Sequence, residues 1–171
     1  MSCEICDLVK DKQFLIYEDE KIIASLTSNP ASLGHIVIAP KNHLPILEQI
    51  PDSLMADIFK ITNQLSIAVF EALNVHGTNV LINNGVSAGQ KAAHFSVNLI
   101  PRMEKDGLNL TWDTKKLSEE EMSTVELKLK EEVKNVGIVE KEKEKTISLD
   151  KKPVKLSGEE NYLIRSLTKI P

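Results

Sequence analysis

Hydrophobic positions fall first into short β-branched runs and then into one long helical repeat. FLIYED (14–19), IIASLT (22–27) and GHIVIAP (34–40) are set apart by Glu18, Asp19 and Glu20 and then by Ser28, Asn29 and Pro30. Runs of this kind between turn residues predict a meander of three strands. Along PDSLMADIFKITNQLSIAVFEALN, Leu54, Met55, Ile58, Phe59, Ile61, Leu65, Ile67, Val69, Phe70 and Leu73 recur as in a helix, capped by Asp52 or Ser53 and reaching about Leu73. They cover more than one stripe, wider than packing on one surface requires, and the excess predicts a dimer interface. TNVLIN (78–83) reads as a fourth strand and Asn84-Gly85 as a turn. QKAAHFSVNLIPR (90–102) reads as a fifth, with His94, Ser96 and Asn98 on one face and Phe95, Val97 and Leu99 on the other.

Three consecutive strands, a long helix and a final pair favour an α+β fold with an antiparallel sheet over a parallel one. LSEEEMSTVELKLKEEVKNVG (117–137) opens on Ser118 and three glutamates, where the helix dipole favours negative charge, and stops at Gly137. The charge-rich IVEKEKEKTISLDKK (138–152) reads as a solvated linker or exposed strand, and GEENYLIRSLTKIP is apolar enough to dock on the body. The expected organisation is therefore a domain over residues 1–136 and an extension over 137–171 that docks on or flanks the core.

At 171 residues the chain can bury a core of its own. A net charge of −4 leaves no basic surplus for phosphates, which argues against nucleic acid as a partner. No stretch approaches the roughly 20 apolar residues of a membrane span, and the N-terminus lacks a signal-peptide core, so a cytoplasmic location is expected. In a reducing compartment Cys3 and Cys6 are not expected to form a structural disulfide.

Cys3, Cys6, His43 and His94, spaced C-x2-C-x36-H-x50-H, suit tetrahedral zinc, and a closed shell of four protein ligands marks a structural site. A redox dithiol and an ordinary reduced pair also fit C-x2-C. His35 reads as a histidine bonded to backbone, and His76 as a loop residue. The glycines of NNGVSAGQ either bring N–H groups to a phosphate or form a hairpin turn. Ser96 lacks a G-x-S-x-G context, and the nearest base, His94, is claimed by the metal set.

GHIVIAPKNH, NVLINNGVSAGQ and QKAAHFSVNLIPR resemble, in order and spacing, the histidine triad (HIT) family of nucleotide hydrolases and transferases. The resemblance covers most of residues 3–136, including DGLNLTW (106–112) and the helix after it; the closing GEENYLIRSLTKIP is similar to archaeal members. It implies a HIT-like fold with a five-stranded antiparallel sheet, a long helix and a C-terminal helix, dimerising through the long helix. The family carries H-x-H-x-H, so the triad here would be the degenerate His-x-Ser-x-Asn of His94, Ser96 and Asn98. Ser96 stands where the nucleophile should be, and a hydroxyl without a base is a poor replacement. Asn98 can donate a hydrogen bond but cannot carry a proton at neutral pH. Thr27 stands where relatives hold ribose with Asp or Asn, while Asn83, Gly89 and Gln90 remain family-like.

The resemblance thus implies a nucleotide-binding set of Thr27, Asn83, Gly89, Gln90, Ser96 and Asn98 with no catalytic residue. It also implies structural zinc on Cys3, Cys6, His43 and His94. The expected function is a zinc-stabilised module that binds a purine nucleotide such as AMP, or regulates, without catalysis. The alternatives are an active phosphohydrolase or nucleotidyl transferase with an atypical site, and an interaction scaffold that binds no nucleotide.

Overall fold

The computed structural model describes residues 3–136, which fall into two compact units divided between Trp112 and Asp113. The first contains α1 (Glu4–Asp11), β1 (Leu15–Glu18), β2 (Ile22–Leu26), β3 (Ile36–Pro40), α2 (Asp52–Leu73), β4 (Gly77–Leu81) and β5 (Val97–Arg102). The strands form one sheet in the order β1-β2-β3-β5-β4, and every neighbouring pair is antiparallel. The α+β expectation with five antiparallel strands therefore holds.

The central strand β3 is buried at every position from Ile36 to Pro40. Its two faces serve different partners because side chains alternate along a strand. Ile22, Ala24, Ile36, Ile38, Val97 and Leu99 form one core with Leu54, Ile58 and Val69 of α2. On the other face Ile23, Val37 and Ala39 pack with Ile5 of α1. Helix α2 buries one stripe only: Phe59, Ile67 and Phe70 stay 44%, 52% and 41% exposed.

Neither Asp52 nor Ser53 caps α2. Pro51 occupies the cap position with no side-chain bond, and Asp52 is the first helical residue. Proline's fixed φ suits that entry, and the Asp52 charge is placed favourably toward the dipole. The end at Leu73 is as expected: Asn74 turns left-handed, and its N–H bonds the Phe70 carbonyl. Gly34, at φ +83°, lies against this end, and a Cβ there would collide with Leu73 Cδ1.

The fifth strand starts at Val97 rather than Gln90. The residues before it are drawn into turns by the Gln90 side chain, which accepts locally from the Gly85 N–H and donates to the local Ala92 carbonyl and the distant Pro45 carbonyl, at 2.7, 2.9 and 2.7 Å. Helix α1 answers to no sequence expectation. Its signal was Ile5, Leu8 and Val9 at helical spacing, the residues that meet the sheet.

In the second unit, α3 (Glu119–Glu132) opens as expected on Ser118, which forms a capping box with Glu121. It gives way to a 3-10 turn at Val133–Asn135, earlier than the expected stop. That stop at Gly137, the charged stretch and the docking tail of 137–171 lie outside the described residues.

Ile58 is fully buried between α2 and the sheet. Ile58→Ala should cost about 2–5 kcal/mol, read as a lower urea midpoint at unchanged m-value.

Candidate functional site

Cys3 is the N-cap of α1, and Cys6 lies one turn on, so both sulfurs face the same way. His94 and His43 meet them from the approach to β5 and from the loop after β3. The ligand atoms of all four lie within 4.8 Å of one another. Cys6 Sγ is 3.3 Å from His43 Nδ1, and both Cys3 Sγ and Cys6 Sγ are 3.6 Å from His94 Nδ1. Tetrahedral zinc, with bonds of about 2.3 Å to sulfur and 2.0–2.1 Å to nitrogen, separates S and N by about 3.6 Å.

The orientation of His94 supports the same fit. Its Nε2–H donates to the Pro40 carbonyl at 2.9 Å, which fixes the neutral tautomer and leaves the Nδ1 lone pair toward the sulfurs. His94 is 1% exposed, and burial, with His43 beside it, holds its pKa below the ordinary histidine value. Burial and the neighbouring Cys3 push the Cys6 thiol upward. A divalent cation held here would supply the positive charge that two thiolate ligands need.

Beside this cluster a cavity of about 610 Å³ opens on the α1 face of the sheet. Thr27, Asn83, Gly89, Gln90, Ser96 and Asn98 all line it. His94, Ser96 and Asn98 share its wall although β5 begins only at Val97, so the alternation read from sequence persists into the turn. Their opportunities differ. The Gln90 amide is spent on backbone, Asn83 Nδ2 donates one bond to the Gly89 carbonyl at 3.4 Å, and Thr27 Oγ1 accepts from the Asn29 N–H.

Sequence reasoning missed further participants. Glu4 and Ile5 of α1 form part of the wall, and Lys91 another. His35, read as bonded to backbone, does accept from the Ala31 N–H at Nδ1, but its Nε2–H also donates to Asn98 Oδ1, both at 3.1 Å. With its carbonyl held, Asn98 turns its amide outward, donating one N–H to the Leu81 carbonyl at 3.4 Å.

A model described as the HIT domain matches residues 9–105. The chain belongs to the HIT domain family. It is 36% identical over 108 residues to an adenylylsulfatase of Arabidopsis thaliana, covering 62% of this chain but only 55% of that protein. An adenosine 5'-monophosphoramidase of Candida albicans is 32% identical over 142 residues, covering 79% and 93% of the two chains. A zinc-bound histidine triad family protein from Mycobacterium smegmatis superposes with a TM-score of 0.60 at 30% identity, over 67% of this chain and 85% of that one. The first unit thus has the HIT fold, and its Cys2His2 group is arranged to accept a metal ion.

Burial holds the His35 pKa below the ordinary value, against the opposing bond to Asn98. In the folded HIT domain both His35 and His94 therefore favour the neutral form, and the unfolded chain binds more protons as pH falls through about 6.5. Stability should be full above that pH and decline below it until the depressed folded values are passed. Urea unfolding at pH 7.5 and pH 5.5 should show the loss, and His35→Gln should reduce it without abolishing it.

Proposed function

We propose that this HIT domain is a zinc-stabilised nucleotide-binding module that has lost histidine-triad catalysis. The observation that carries the reading is the engagement of every imidazole nitrogen beside the cavity. His94 Nε2 is given to Pro40 and Nδ1 faces the sulfurs, while His35 Nδ1 and Nε2 are given to Ala31 and Asn98. Ser96, at the position of the family's nucleophile, has no imidazole to take its proton. Asn98, in place of the third histidine, offers an amide donor that cannot transfer a proton at neutral pH.

The remaining groups suit binding. The cavity is of ligand size and combines amide and hydroxyl donors with Lys91 around a sheet floor that includes Val37 and Ile100. A purine mononucleotide such as AMP is the favoured ligand, in keeping with the adenylyl and adenosine compounds for which the two relatives are named. Zinc on Cys3, Cys6, His43 and His94 would neutralise the thiolates and tie α1 to the sheet, with no position left for substrate. Further parts of the reading are a homodimer through the exposed apolar face of α2 and a reducing cytoplasmic setting in which both cysteines rest in the reduced form.

Calorimetric titration with AMP should give saturable heat at or below millimolar ligand; silence there would favour a scaffold that binds no nucleotide. Adenosine phosphoramidate should be turned over no faster by the wild type than by Ser96→Ala; rapid hydrolysis lost in the variant would overturn the assignment. Glu4 is the one carboxylate on the cavity among the described residues, so Glu4→Gln tests the rival phosphohydrolase reading. Metal analysis of protein purified without added metal should find about one zinc per chain. Cys6→Ser should lower both metal content and Tm, because structural metal binding is linked to folding.

A further inference from the structure

Residues 3–6 interleave two roles. Cys3 and Cys6 belong to the metal cluster, whereas Glu4 and Ile5 between them line the cavity. The eight-residue α1 is shorter than the roughly 12–15 residues a helix needs to persist alone in water, so its position depends on what it is tied to. Its apolar hold is small: Ile5 is its one buried side chain, with Leu8 and Val9 packed less deeply. Besides an exposed Lys12–Glu18 ion pair at its end, the other hold is the sulfur–imidazole cluster.

We propose that α1 is a redox-releasable wall of the ligand cavity, freed when Cys3 and Cys6 are oxidised to a disulfide. The inference rests on the zinc reading of the same four residues. Both sulfurs lie within the 4.8 Å cluster, one turn apart at the start of α1, which puts them on one face and within reach of each other. With a peroxide as oxidant, each thiolate gives up one electron and one S–S bond forms. The O–O bond breaks, and with two protons its oxygens leave as two waters. A disulfide sulfur carries no charge for the metal, so the cation departs and the two imidazoles lose their link to α1. Glu4 and Ile5 then leave the cavity wall with the helix, while the sheet, held by its own core, stays folded.

The test uses the full chain, reduced and loaded with zinc, before and after stoichiometric hydrogen peroxide. Zinc content of the reduced protein is read first: if no zinc is bound, the zinc reading itself fails and this proposal with it. With zinc present, oxidation should yield one Cys3–Cys6 disulfide by peptide mass mapping and release the zinc to a chromophoric chelator. Amides of residues 4–11 should lose at least tenfold in exchange protection while β2 and β3 keep theirs, and a dithiol reductant plus zinc should restore the starting state. Unchanged protection of α1 after zinc leaves, or sulfinic acids in place of the disulfide, would overturn the proposal while leaving the zinc reading intact. Chelation without oxidation supplies a second measurement, since it should free α1 to the same extent.

Discussion

One imidazole carries the arrangement. His94 lies within the core, donates from Nε2 to the end of β3, and turns Nδ1 to the sulfurs of α1. A buried imidazole is tolerated only if both nitrogens have work, and here the backbone bond fixes which of them faces the metal cluster. That choice places α1 over the sheet, because Cys3 and Cys6 follow the position of Nδ1. Both nitrogens of His94 are thereby directed away from the adjoining cavity.

The cavity is left with hydrogen-bond donors. Asn98 is oriented by His35, Ser96 stands without a base, and Gln90 is consumed in stitching the loop that closes the wall. A site of oriented amides, two hydroxyls and one lysine can hold an anion through many weak bonds, with Glu4 the one carboxylate on its wall among the described residues. Phe95, Val97 and Leu99 do the packing on the far face of this stretch, while Asn98 joins the buried His35 to the Leu81 carbonyl.

Much of this was legible in the residues because it depends on local period. The strands of the first meander, the stop of α2 at Leu73 and the alternating faces of residues 94–99 follow from spacing alone. The four candidate metal donors were also visible, as thiols and imidazoles are few in this chain and C-x2-C is compact. The features that escaped depend on contacts far apart in sequence. Gln90 reaches Pro45 across 45 positions, in the turns that precede β5 at Val97, and His35 reaches Asn98 across 63. Helix α1 was hidden for a different reason: two turns are too short for a helical period to stand out. Asp52 looked like a cap because caps are usually polar, but Pro51 begins the helix by its fixed φ.

The most direct test lies at the metal itself, by X-ray absorption at the zinc edge on protein purified without added metal. The expected result is a four-coordinate shell of two sulfurs at about 2.3 Å and two imidazole nitrogens at about 2.0 Å, with one imidazole lost in His94→Ala. A shell of nitrogen and oxygen alone, or one unchanged by His94→Ala, would contradict the claim that His94 serves the metal and not the chemistry.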